Sequence, residues 1–371
     1  MEQPTIDQFF ETVEDPRHHN RLHKLIDIIV ISICAVVSGA DSYGQIELFA
    51  KNRKLWLSKF LDLPRGIPSH DTIGRVFERI DPKEFQRSFK LWIGSIAQQT
   101  RGQVIAIDGK TLRRSHDHAK DKKAIHMVSA WASANQVVLG QLKTEDKSNE
   151  ITAIPYLLKL LDISGCIITI DAMGTQKKIA RLIRERGGDY ILALKENQGN
   201  LYKDCILFFE QMKAMRRKGY IFEEHTTVDG GHGRIETRKY FMTSDIEWLS
   251  DKEKWTDLQS IGMVESTREI NGQVSTERRF FIASLPSDAK RFGDAVRSHW
   301  GIENRVHWIL DIAFREDESR VRTGHAPENL AVLRHIALNL LKTDKSLRGS
   351  IKTKRLHAAL NVQFLEKIVF S

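Results

Sequence analysis

QVIAIDG (103–109), AIHMVSAWAS (124–133), QVVLGQL (136–142), NEITAIPYLLKLLDI (149–163), CIITIDA (166–172), TQKKIARLIRERG (175–187) and DYILALK (189–195) form the stretch on which the fold turns. The first three are short β-rich runs, the last two of them joined by a turn around Asn135. NEITAIPYLLKLLDI has helical spacing, and CIITIDA and DYILALK are continuous apolar runs of the kind buried in parallel sheets. TQKKIARLIRERG reads as a helix closed by Gly187. The order is β-β-β-α-β-α-β. A doubly wound Rossmann sheet needs a helix after its first strand, so that fold is excluded.

Three meandering strands followed by alternating helix and strand fit a ribonuclease-H-like core, an α/β mixed sheet with flanking helices. On its N-terminal side, residues 1 to about 95 read as mainly helical, with apolar stretches such as LHKLIDIIVISICAVVSGA and EFQRSFKLWIGSIAQ broken by Pro64, Pro68 and Pro82. Within them, IPSHDTIGRVFERI offers Ser69 as the N-cap of a helix with a basic face, Arg75 and Arg79. That design serves a small DNA-binding helix and an ordinary capped surface helix equally well. Beyond the core, a helix from Asn200 to about Lys218 gives way to strand-like runs with turns at Gly230-Gly231-His232-Gly233 and Asn271-Gly272. These runs are read as an all-β insertion at about 220–285, and helices follow from about Ser287 to the end. The expected division is a helical N-terminal region at 1–100 and a catalytic region at 101–371 that carries the insertion.

A chain of 371 residues has room for two or three domains, and 41% apolar with 28% charged residues is a globular composition. The three cysteines, Cys34, Cys166 and Cys205, form no CxxC pair; they argue against a disulfide framework or a cysteine zinc site and suit a reducing compartment. The acidic start MEQPTIDQFFETVEDPR lacks the apolar core of a signal peptide, and the longest apolar run, Ile28–Val37, is half the ~20 residues that span a bilayer. The expectation is a soluble, cytoplasmic protein without a membrane partner. Its net charge of +9 permits a nucleic-acid partner, and the distribution says more than the total. Arg101–Ile125 holds seven basic and three acidic residues, Gln176–Arg186 five and one, and Lys342–Lys367 seven and two. One such cluster is most simply a solvated surface; three, two of them beside acidic motifs, point to a polyanion.

Those acidic motifs are VIAIDGK and ITIDAMG, in which Asp108 and Asp171 each end an apolar strand and precede a small residue. Open α/β sheets build their sites in that crevice. Each aspartate alone is as well explained as a cap on the following turn. At the first and fourth strands of this order they lie side by side, and two neighbouring carboxylates repel unless a cation neutralises them. Hard oxygen donors without Cys or HExxH suit Mg²⁺ or Mn²⁺. A third carboxylate is expected from the late helix HWGIENRVHWILD, where Glu303 follows His299 by one turn. His299, Glu303, His307 and Asp311 drift by about 40° per step on an α-helix and cannot all face one ion. A zinc site on His299 and His307 is the weaker alternative, because the pair lacks the i, i+4 spacing of metallohydrolases.

With these residues in place, the chain resembles the bacterial insertion-sequence transposases with an Asp-Asp-Glu nuclease site, in particular the H-repeat-associated branch. The resemblance runs over nearly the whole chain, through SHDTIGRVF, IDGKTLRRS, TIDAMGTQKKIA, YILALKENQ, DGGHGRIETR and RSHWGIENRVHWILDIAFREDESR. It implies that Asp108, Asp171 and Glu303 are the catalytic, metal-binding triad of two Mg²⁺ or Mn²⁺ ions, with Asp108 bridging. It also implies a two-step reaction in which water cuts the element's end and the freed 3'-hydroxyl attacks target DNA. His299 and Trp300 match the wider group's basic-aromatic pair; Val296, His299 and Leu310 stand where that group has Tyr, Arg and Lys. The implied partner is double-stranded DNA, both element ends and target, with a homodimer on DNA as an open assembly. Lys110, Arg113 and Arg114 after the first aspartate, and Lys177, Lys178 and Arg181 after the second, are candidates for holding phosphates. His232, Arg234 and Arg238 in the insertion are candidate contacts to the DNA end, His299 and Trp300 to the strand beside Glu303. Trp300 reads either as a stacking platform for an unpaired base or as a core residue beside Trp308. A ribonuclease-H-like nuclease without strand transfer, and a catalytically silent DNA-binding remnant, stay open beside the active transposase.

Overall fold

The computed structural model describes residues 5–18, 21–96, 102–116, 124–144, 150–231 and 234–370. In chain order these form α1 (Ile6–Phe10), α2 (Leu25–Val37), α3 (Tyr43–Asn52), α4 (Lys54–Leu57), α5 (His70–Arg79) and α6 (Pro82–Ile96). There follow β1 (Val104–Thr111), β2 (His126–Ala132), β3 (Val137–Thr144), α7 (Glu150–Leu160), β4 (Ile167–Ile170), α8 (Lys177–Glu185) and β5 (Asp189–Leu194). Next come α9 (Asn200–Glu210), α10 (Met212–Arg217), β6 (Glu223–Gly231), β7 (Arg234–Thr243), β8 (Ser260–Ile270) and β9 (Gln273–Ala283). The chain closes with α11 (Ala289–Ile302), a π-helical turn (Glu303–His307), α12 (Trp308–Phe314), α13 (Ala326–Thr343), α14 (Ile351–Leu360) and α15 (Val362–Phe370). The fold is mixed α/β.

Two compact units divide the chain, one of Met1–Gln98, Gly109–Asn149 and Glu303–Ser371, the other of Gln99–Asp108 and Glu150–Ile302. This division does not follow the linear boundary near residue 100. The reason lies in the first unit, where α13 packs against α2, α5, α6 and β3 and gathers N- and C-terminal helices into one core. α13 is buried on almost every side, and two of its buried polar groups are pins. Asn329 donates to the carbonyls of Phe77 (2.8 Å) and Ile80 (3.0 Å) at the end of α5. Asn339 accepts from the Val138 amide and donates to its carbonyl, both at 2.9 Å. Asn339 is paired at both ends of its amide, whereas the Asn329 Oδ1 finds no partner among the described residues. The run Ile28–Val37 lies in α2, whose residues are buried all round by its neighbours. Among the described residues no helix is long and apolar enough to cross a membrane. Ser42 and Ser69 cap α3 and α5, accepting from the amides of Gln45 and Thr72.

In the second unit β1 pairs parallel with β4 and β4 parallel with β5, with α8 crossing from one to the next. Gly187, at φ +74°, ends α8. The strands read as an all-β insertion at about 220–285 prolong this sheet, because β9 pairs antiparallel with β5 and carries β8, β7 and β6 in turn. Asn271 (φ 50°) and Gly272 (φ 77°) make the tight turn between β8 and β9. α11 seals one face over Val104, Ile167, Ile191, Tyr240, Val264 and Phe281. Its Phe292 lies so close to β8 that a Cβ at Gly262 would sit 2.7 Å from the ring, so only glycine fits there.

Candidate active site

The two aspartates are placed by strand register. Ile107 of β1 pairs with Ile170 of β4 in parallel, so Asp108 and Asp171 are the next residues out on adjacent strands, which are generally about 4.8 Å apart. Both are partly exposed. Asp171 also turns the chain: its Oδ1 accepts from the amides of Met173 (3.1 Å) and Gly174 (3.4 Å). The carboxylate thus caps the turn that follows it, and the turn fixes its direction. Thr175 (to the Ala193 carbonyl, 2.6 Å) and Asn197 (to the Ala172 carbonyl, 2.8 Å) brace the same turn. On β4, two residues before Asp171, the Thr169 hydroxyl meets His299 Nδ1 at 3.0 Å, which ties α11 to the strand that ends in the aspartate.

Glu303 directly follows α11 and opens the π-helical turn. His307 Nδ1 lies 3.0 Å from its Oε2. That hydrogen bond, with the nearby positive Lys110 adding to it, holds the Glu303 carboxyl below its usual range against the opposing effect of burial. Glu303 is therefore ionised and oriented at neutral pH. His299 Nδ1 bonds Thr169 and His307 Nδ1 bonds Glu303, so the two histidines are held by different partners.

Lys110 corrects an expectation. In place of a phosphate it meets Asp311, and Glu316 at 2.8 Å, with its side chain only 11% exposed. Glu316 is itself buried and 3.5 Å from Arg334. Burial alone would raise the Glu316 carboxyl, but Lys110 and Arg334 outweigh it and hold it at about 2. Beside them, burial pushes His335 down to about 4, so it is neutral at pH 7. The sequence pass missed this cluster; FREDE, with three acids in a row after an apolar helix, was the signal for it.

The remaining candidates separate into surface and internal groups. Lys177 and Lys178 are exposed in the first turn of α8, Arg113 and Arg114 are exposed after β1, and Arg181 pairs with Glu185 at 2.7 Å. Arg113 is 3.3 Å from Asp317, and the Arg114 carbonyl takes a bond from Arg322. Arg238 is a second correction: it bonds the buried Glu236 and the exposed Asp229, each at 2.6 Å. Glu236 also gathers Arg234 (3.5 Å) and Arg268 (3.1 Å), because a carboxylate on that sheet face needs neutralising. His232 lies outside the described residues. Trp300 is 39% exposed, with the Arg279 guanidinium 4.2 Å over its ring, so it is not a core residue.

Comparison with known proteins gives the family. The family described as "Transposase DDE domain" matches residues 99–340, and the one described as "DDE_Tnp_1-associated" matches residues 8–93. "Putative transposase YncI" of Escherichia coli O157:H7 is 43% identical over 368 residues, covering 98% of this chain and 94% of its own. "H repeat-associated putative transposase YhhI" of Escherichia coli strain K12 is 39% identical over 352 residues, covering 94% and 92%. Among solved structures, a piggyBac transposase synaptic complex with hairpin DNA aligns with 97% of this chain and 76% of its own, at 14% identity and a TM-score of 0.46. The chain belongs to the DDE transposases of bacterial insertion sequences, in the H-repeat-associated branch.

Proposed function

We propose that this chain is an active transposase that cuts the ends of its element and joins them to target DNA, with Asp108, Asp171 and Glu303 as ligands of two Mg²⁺ or Mn²⁺ ions. The observation that carries this is the β1–β4 register, which sets two carboxylates side by side just past the last paired residues, Ile107 and Ile170. The donor set fits hard divalent cations, because three carboxylates with no thiolate among them need positive charge and offer only oxygen. When bound, the ions supply activation of the attacking hydroxyl and stabilisation of the leaving oxygen. The chain's own residues prepare the site: the turn after Asp171 aims that carboxylate, and His307 keeps Glu303 ionised and directed. The parallel β1-β4-β5 arrangement with α8 as crossover supports the ribonuclease-H-like reading of the core.

DNA is held, in this reading, by Lys177 and Lys178, with Arg113, Arg114, Arg181 and Arg234 as further phosphate contacts. α8 opens with two lysines and no acid, against the preference of a helix N-terminus, and that combination of amides and ammonium groups suits a phosphate. The basic face of α5, Arg75 and Arg79, is assigned to DNA as part of the associated region, and a homodimer bridges two ends. Charge reversal, Lys177→Glu with Lys178→Glu, is expected to weaken DNA binding and flatten the log–log salt dependence by about 0.9 per lost phosphate contact. An unchanged slope in filter-binding titrations would put the DNA path elsewhere.

The function is tested by incubating the purified protein with DNA that carries the sequences flanking its gene and with a supercoiled target. Mg²⁺-dependent cuts with 3'-hydroxyl ends, followed by joined products, are expected. Cuts without joining would reduce the chain to a nuclease; no cutting in Mg²⁺ or Mn²⁺ would make it a silent remnant.

A further inference from the structure

The third basic cluster, Lys342–Lys367, is the one that the DNA reading leaves unused. Two of its members are buried and bonded to backbone: Lys354 Nζ donates to the carbonyls of Leu341 (2.8 Å) and Asp344 (2.6 Å), and Arg355 Nη2 to that of Val36 (3.0 Å). Lys342, in the last turn of α13, is partly buried and also bonds a carbonyl. Its Nζ donates to Arg305 at 2.6 Å, inside the π-helical turn that Glu303 opens. The same ammonium stands 6.0 Å over the ring of Trp131, a buried residue of β2. Three residues earlier on α13, Asn339 is bonded through both ends of its amide to Val138 of β3. A bonded path thus runs from β3 through α13 to the turn.

A π turn holds one residue more than an α turn and interrupts the regular ladder of helical hydrogen bonds; such turns recur at functional sites. A side chain that donates into the ladder is one way in which a helix keeps an irregular form. Burial, with the neighbouring cations Arg305 and Lys345 adding to it, pushes the Lys342 ammonium down to about 7. The fold therefore keeps this charge where it is disfavoured, as functional sites do more often than surfaces. We propose that Lys342 is a positioning residue for the reaction: by holding the Arg305 carbonyl it fixes the turn in the form that presents Glu303 with His307 bonded to it. This rests on the transposase reading and adds a residue that reading does not include. A phosphate contact, the other use of a lysine here, fits less well, because the ammonium is already engaged with a carbonyl and an aromatic face.

The test compares the full chain with its Lys342→Met and Lys342→Arg variants. Hydrogen exchange in EDTA should show amide protection lost at residues 303–309 of Lys342→Met, with protection elsewhere and the melting temperature close to wild type. Mn²⁺ affinity, read from the paramagnetic signal of the free ion, should weaken by about 10- to 100-fold and single-turnover cutting should slow by a similar factor, the usual cost of losing a group behind a metal ligand. Duplex DNA affinity in EDTA should stay at the wild-type value. Lys342→Arg, which keeps a donor, should recover most of each loss. Unchanged protection of the turn would overturn the proposal, and so would a loosened turn with wild-type Mn²⁺ affinity and cutting. Weaker DNA binding by Lys342→Met would make the lysine a phosphate contact, and protection lost along the whole of α13 would make it a structural residue; either result overturns the positioning role. Should the wild type neither bind Mn²⁺ nor cut, the transposase reading would fall, while exchange at the turn would still decide whether Lys342 holds it.

Discussion

An Asp108→Asn protein should bind DNA with wild-type affinity and cut it about a thousandfold more slowly, or worse, in Mg²⁺. The amide keeps the side chain's size and removes the charge, and several kcal/mol of transition-state stabilisation correspond to at least three powers of ten. Asp171→Asn and Glu303→Gln should lose as much, and combining them should add little, because ligands of one centre act as a unit. A second readout is independent of turnover. The metal-free protein places two carboxylates on adjacent strands, so Asp108→Asn should melt no lower than wild type without metal, while the rise in melting temperature that Mg²⁺ gives the wild type should shrink. Wild-type cutting by Asp108→Asn would show that the site has been misplaced.

The second large effect is on stability. Lys110→Met leaves Glu316 buried without its nearer partner, and breaking one side of a buried pair costs about 3 to 5 kcal/mol. Denaturant unfolding monitored by circular dichroism measures this, and Lys110→Met combined with Glu316→Gln should recover part of it. A loss below about 1 kcal/mol would mean the cluster is solvated and its pairs worth no more than surface ones. The same cluster sets an acid limit. Glu316 is held at about 2 against an ordinary 4.5, so its contribution is complete above about pH 4.5 and is lost as the pH falls toward 2. Glu316→Gln should remove that part of the acid slope. An unchanged slope would assign acid sensitivity to other carboxylates.

What the sequence reveals here divides along local and distant interactions. Asp108 and Asp171 are legible because strand ends, apolar runs and the small residue that follows are all local. The Asn271-Gly272 turn is legible for the same reason. Lys110 is not, since its partners Asp311 and Glu316 stand 201 and 206 residues away, and a lysine two places after a candidate metal ligand looks like a phosphate contact. Arg238 misleads in the same way, with buried Glu236 hidden in an otherwise polar strand. The β-run at 223–283 is recognisable as strands, but its union with β5 depends on a pairing across some ninety residues, Leu192 with Ile282, that no local pattern encodes. WILDIAF has core-like apolar content, yet Trp308 and Ile312 face solvent, because apolar content alone does not say which side of a helix is covered.

The central position of α13 bears on how such genes decay. A message that had lost the first 98 codons would still encode every carboxylate of the proposed site. Its product would lack α2, α5 and α6, baring apolar surface of α13 that the intact protein keeps from water. Such a fragment is expected to aggregate and be degraded, so truncation from the 5' side should yield a null allele and not a soluble competitor for the element's ends.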